Sequence, residues 1–81
     1  MKVQAVVTNV LKDKRGGKYA VATSSFIKGS ITFSVTDPKV WREKGLPETG
    51  SIVLIEKIFK KRAGWRAGFA RLWQPEDEKQ Q

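Results

Sequence analysis

The sequence predicts a small all-β protein, five antiparallel strands closed into a barrel with one short helix between the third and fourth strands. Three observations point to it. Stretches rich in β-branched and aromatic residues alternate with polar ones. Short Gly-containing segments of turn chemistry separate those stretches. The chain has 81 residues, enough for one domain and one modest core, and closing such a sheet removes its exposed edges.

The first strand is Lys2 to Lys12. Val3, Ala5, Val7 and Leu11 fall on one face, and Gln4, Val6, Thr8 and Val10 on the other. The β-branched content disfavours helix. Arg15-Gly16-Gly17 supplies the positive φ that a hairpin turn needs, and Lys18 to Ile27 forms the second strand. Lys28-Gly29 is the next turn. Ser30 to Thr36 then alternates most cleanly, with Ile31, Phe33 and Val35 inward and hydroxyls outward. Asp37-Pro38 has the pattern of a helix start, Asp as N-cap and Pro in the first turn. The helix runs to about Lys44 and stops at Gly45, with Val40 and Trp41 as anchors. Ser51 to Phe59 is the most apolar strand, with Ile52, Leu54 and Ile55 as core. Trp65 to Trp73 is the fifth, where Gly68 signals a bulge or a close backbone approach. Residues 1–74 make the barrel domain, and 75–81 a flexible acidic tail.

Charge distribution carries the functional information. The net charge is +8 and the pI about 10.1. Three of the eight acidic residues, Glu76, Asp77 and Glu78, follow Pro75, so residues 1–74 are more basic than the whole. Eight of the sixteen Lys and Arg residues lie in two segments, Lys12–Lys18 and Lys60–Arg66, each between two strands. Two cationic hairpin loops on so small a domain favour a polyanion, above all a phosphate backbone. No basic amphipathic helix or membrane-spanning apolar run is visible, so a membrane partner is not expected. The start of the chain lacks a signal-peptide pattern, and the expected location is cytoplasmic.

The chain has no Cys and no His. That removes thiolate chemistry, the commonest general base and the commonest transition-metal ligand. Asp13, Asp37, Glu43, Glu48 and Glu56 are scattered without metal-ligand spacing. Neither GxxxxGK[ST] nor GxGxxG occurs. A non-catalytic protein without a cofactor is the expectation.

With its order of three strands, a short helix and two strands, the chain over residues 2–74 resembles the OB-fold, the five-stranded Greek-key barrel of many oligonucleotide-binding proteins. The resemblance implies a ligand crossing strands two and three, flanked by the loop joining strands one and two and the loop joining strands four and five. Those are the two basic segments. The stretch Lys60 to Ala67 also resembles the compact basic accessory subunits of archaeal replication and transcription machines.

The expected function is binding of single-stranded DNA or RNA with weak sequence preference. Lys12, Lys14, Arg15, Lys18, Lys60, Lys61, Arg62 and Arg66 would meet phosphate, and Tyr19 and Trp65 would stack on bases. The two loop tips are expected to converge at one rim, and the acidic tail to compete for the cleft between them. Phe69 and Trp73 fit either core filler or a binding platform. The alternative is a protein-interaction or accessory subunit of a replication, transcription or translation complex, with strand five and the tail as contact surfaces.

Overall fold

Five runs of β-forming residues pair around a common core. The computed structural model describes residues 2–62 and 64–80. Its strands are β1 (Val3–Lys12), β2 (Lys18–Ser24), β3 (Ile27–Ser34), β4 (Ile52–Lys61) and β5 (Gly64–Leu72). They close into a barrel in the order β1-β2-β3-β5-β4, with β4 pairing back onto β1. Among the described residues, no helix is long and apolar enough to cross a membrane.

Four of the junctions are antiparallel, while β3 and β5 run parallel through Ile31↔Trp65 and Thr32↔Arg66. The expectation of a purely antiparallel barrel is corrected, and the reason is parity. Strand direction cannot alternate all the way round a closed ring of five. The order is compatible with an OB-like barrel.

The core follows the inward rows. Val3, Ala5 and Val7 of β1 meet Ala20 and Ala22 of β2, Ile31 and Phe33 of β3, Val53 and Ile55 of β4, and Ala67 and Ala70 of β5. Alanines on β2 and β5 leave room for Phe33 and Ile31, among the largest fully buried side chains. Ile31, Phe33 and Val35 point inward as the alternation predicts, and Leu54 and Ile55 are buried. Ile52 is 43% exposed, so its expected core role is corrected. A register shift between Val7 and Asn9 reverses the facing of β1. Val10 therefore packs against the core, and Leu11, expected inward, is 42% exposed.

Two other expectations change. The β2–β3 turn is at Ser25–Phe26, so Lys28 and Gly29 lie within β3. Gly29 accommodates the local backbone with φ +102°. The predicted helix over Pro38–Lys44 is absent. Its first turn does form: the amides of Val40 and Trp41 donate to the Asp37 carbonyl, and the Asp37 carboxylate accepts from the Lys39 amide. The open edge of β5 then captures the chain. The Ala70 amide donates to the Val40 carbonyl, the Arg42 amide to the Ala70 carbonyl, and the Leu72 amide to the Glu43 carboxylate. Trp41 forms a parallel bridge with Ala70. Pairing the backbone groups of β5, which would otherwise face the same covered edge unpaired, outweighs extending a short helix.

Trp41 is buried, stacks on Phe33 with ring centroids 5.9 Å apart, and donates its indole N–H to the Gly45 carbonyl at 2.6 Å. Replacing this ring removes packing that nothing nearby can refill. Trp41→Ala is expected to cost about 3–5 kcal/mol of unfolding free energy, read from the urea midpoint. Trp41→Phe keeps the ring contact, loses the bond to Gly45, and should cost less.

Candidate nucleic-acid interface

The first basic loop is organised by a carboxylate. Asp13 Oδ1 accepts the amides of Arg15 (2.8 Å) and Gly17 (2.9 Å), and the Asp13 amide donates to the Gly17 carbonyl at 2.8 Å. Gly16 takes φ +90°. The Asx geometry tightens the hairpin and leaves Lys12, Lys14, Arg15 and Lys18 exposed. Its base is fastened to the end of β3: the Lys18 amide donates to Thr36 Oγ1, and the Val35 amide to the Lys18 carbonyl.

The second loop ends the β4–β5 hairpin, where Lys60 pairs with Trp65 and Lys61 with Gly64. Ala63 lies outside the described residues. Gly64 has φ +130°, and a Cβ there would stand 3.1 Å from the Ser30 carbonyl oxygen, so the hairpin crosses close to β3. Lys60, Lys61, Arg62 and Arg66 are exposed. Trp65 is half-buried against the core. Its indole N–H donates to the Lys28 carbonyl at 3.2 Å, and the Lys60 ammonium lies 5.5 Å from its ring centroid.

Strand directions decide how the loops relate. β1 runs toward the first loop, and β4, antiparallel to it, runs away toward the second. The two tips therefore sit at opposite ends of the strands. The expected convergence at one rim is corrected; what the structure brings together is the bases of the loops. A hollow of about 400 Å³ is lined by Asp13, Lys18 and Tyr19 from the first loop and its base, Thr32 and Ser34 of β3, Asp37, and Arg66 of β5. The cross-strand register continues this surface into one row, Asn9–Val21–Thr32–Arg66–Phe59, from β1 to β4. A neighbouring row is Leu11–Tyr19–Ser34.

Lys18, Tyr19 and Arg66 thus share one surface. Lys12, Lys14 and Arg15 lie beyond one end of it, and Lys60, Lys61 and Arg62 beyond the other. Trp65 belongs to a different hollow, at the β2–β3 turn. Sequence reasoning missed Phe59, which is exposed with the Lys61 ammonium 5.3 Å from its ring centroid. Its alternation with Ile58 could have placed it outward. The hydroxyls of Thr32 and Ser34 were legible as an outer row but not as the floor of a hollow.

Comparison with protein-family models, characterised proteins and solved structures finds no match to this chain.

The C-terminal segment does not enter this surface through Asp77. The sequence predicts a free tail from Pro75, whereas Pro75–Gln80 is a 3-10 segment and Asp77 is buried against Arg71. The pair is bidentate, with bonds of 2.7 and 3.0 Å, and Asp77 also accepts the Gln74 amide at 2.6 Å. Hydrogen bonding to Arg71, then to the Gln74 amide, holds the Asp77 carboxyl below its ordinary value of 3.8. The same bond keeps the Arg71 guanidinium protonated more firmly than usual. Gln81 lies outside the described residues.

A depressed carboxylate pKa stabilises the fold where the group is ionised in both states, and that contribution fades as pH falls from the unfolded value through the folded one. The stability difference between the protein and Asp77→Asn should therefore be constant from about pH 5 to pH 8 and shrink below about pH 4. Urea midpoints measured across that range check it. A difference that persists undiminished in acid would contradict the assignment.

Proposed function

We propose that this chain is a non-catalytic nucleic-acid-binding module for single-stranded DNA or RNA, reading sequence weakly. One observation supports this above the others: Lys18 and Tyr19, where β2 leaves one basic loop, and Arg66 of β5, just past the other, line the same side-face hollow. The floor between them carries hydroxyls, and the cross-strand row from Arg66 ends on Phe59. Cations for phosphate beside aromatic rings for bases are what single-strand binders combine.

The hollow also contains Asp13 and Asp37, which repel phosphate. Each is engaged with backbone amides, Asp13 with Arg15 and Gly17, and Asp37 with Lys39. In this reading the sugar–phosphate chain follows Lys18 and Arg66, while bases lie toward Tyr19 and the Thr32 and Ser34 hydroxyls. The loop tips extend the positive surface at both ends and steer the strand in. β3 is eight residues long, which gives a track of roughly 25 Å, suited to the short end of the range of about 4–16 nucleotides found for such barrels.

The alternative, an accessory subunit of a replication, transcription or translation assembly, draws less support from the surface assigned to it. On β5, Arg71 is paired bidentately with Asp77 of the C-terminal segment, so a contact within the chain already occupies one charged group from each of the two surfaces assigned to that reading.

Binding is expected at low salt and should weaken steeply as salt rises. Arg66→Ala should weaken binding to all sequences alike and lower the slope of log K against log salt by about 0.7, one phosphate contact on a single strand. Tryptophan fluorescence titrations with short oligonucleotides at several salt concentrations measure both. No binding at low salt, or binding indifferent to salt, would remove the proposal.

A further inference from the structure

Among the described residues, Phe26 is the most exposed of the large hydrophobics, at 76%. It occupies the two-residue β2–β3 turn, where the Ser24 hydroxyl accepts its backbone amide. It lines a second hollow, of about 460 Å³, together with Ile27, Lys28, Ile58, Lys60 and Trp65. That volume lies within the usual range for small-ligand clefts, roughly 300–1,000 Å³.

Two features fix the chemistry of an occupant. The walls are apolar and aromatic, with Trp65 held in place by its indole bond to the Lys28 carbonyl. The charged lining residues are Lys28 and Lys60, and among the described residues no carboxylate lines this hollow, unlike the side-face one with Asp13 and Asp37. A purely apolar partner would leave two ammonium groups at its edge without a counter-charge. A purely anionic one would make no use of Phe26 and Trp65. An unpaired nucleobase with its own phosphate meets both requirements, a flat π-face for the rings and a negative group for the lysines.

We infer that the hollow between the β2–β3 turn and the β4–β5 hairpin is a stacking slot for one unpaired base, with Phe26 and Trp65 as its aromatic walls and Lys28 and Lys60 holding the attached phosphate. The inference rests on the nucleic-acid reading and adds to it a base-dependent site at the end of the track remote from Tyr19. A duplex, whose bases are already stacked, cannot fill it without unstacking, so the slot makes the module prefer single strands.

The test compares the protein, Phe26→Ala and Phe26→Tyr by anisotropy at fixed low salt. The probes are a short labelled oligothymidylate and a strand of equal length built from abasic sugars. Phe26 is exposed on a turn, so its replacement leaves the core intact. Phe26→Ala should weaken oligothymidylate binding at least about five-fold, leave the abasic strand and the salt slope unchanged, and be restored by Phe26→Tyr. If Phe26→Ala binds oligothymidylate as the unaltered protein does, the slot is refuted and the nucleic-acid reading stands. If the unaltered protein binds neither strand, both fall. If sedimentation shows that Phe26→Ala only disrupts self-association while strand affinity is kept, the hollow is an interface between copies and the inference is overturned.

Discussion

Five strands in a ring force one neighbouring pair to run the same way, and the rest of the architecture follows from where that pair falls. Here it joins β3 and β5 through Ile31–Thr32 and Trp65–Arg66. This short seam is the backbone pairing between the β4–β5 hairpin and β3, to which the Trp65 indole adds a bond to the Lys28 carbonyl. The seam brings Arg66 beside Thr32 and into the same surface as Lys18 and Tyr19. The same directional logic sends the two hairpin tips to opposite ends. Parity thus both creates a continuous side face and prevents a pincer.

Much of this was legible in the chain. All five strands were legible, the third by clean alternation, because a half-covered pleated surface leaves a period-two record in residues such as Ile31, Phe33 and Val35, and the fourth by its continuous apolar run. Gly68 signals a bulge or a close approach; the β4–β5 register passes it without a shift, and its missing Cβ would meet Lys57 Cβ at 3.3 Å, so the close approach is what the structure has. What escaped was set by non-local partners. The Asp37-Pro38 helix signal is sound locally, yet the vacant edge of β5 claims Val40–Arg42. Asp77 looked like part of a solvated tail because nothing nearby in sequence shows that Arg71 waits for it. Ser25–Phe26 carries weaker turn chemistry than Lys28-Gly29, so local signals point to the later pair and put Phe26 near the end of a strand. The register shift after Val7 is likewise invisible in composition.

Electrostatically the molecule is asymmetric in how its charges are occupied. Asp13 and Asp37 organise turns, Glu43 receives the Leu72 amide, and Asp77 pairs with Arg71. Among the described residues that last pair is the one ion pair. Among the described residues the loop cations form no ion pair, although Asp13 lies within the first loop. Exposed like charges cost little when screened, and they raise the local concentration of anions around the surface. The two hollows differ in their lining: the side face mixes charges of both signs over hydroxyls, whereas the hollow at the β2–β3 turn combines apolar and aromatic residues with Lys28 and Lys60.

Lys57 adopts φ +56° in the middle of β4, a conformation an L side chain seldom takes, directly across from Gly68. The two positions form a single mutational unit. A methyl group at 68 is crowded by the Lys57 stem, but with glycine at 57 the nearest of the recorded neighbours would be the residue-57 carbonyl oxygen, at an ordinary 3.6 Å. The penalty for alanine at 68 is thus conditional on its neighbour, and the pair should depart from additivity in a double-mutant cycle. Sequences that drift at one of these sites without the other will meet an epistatic barrier at this point of the barrel wall.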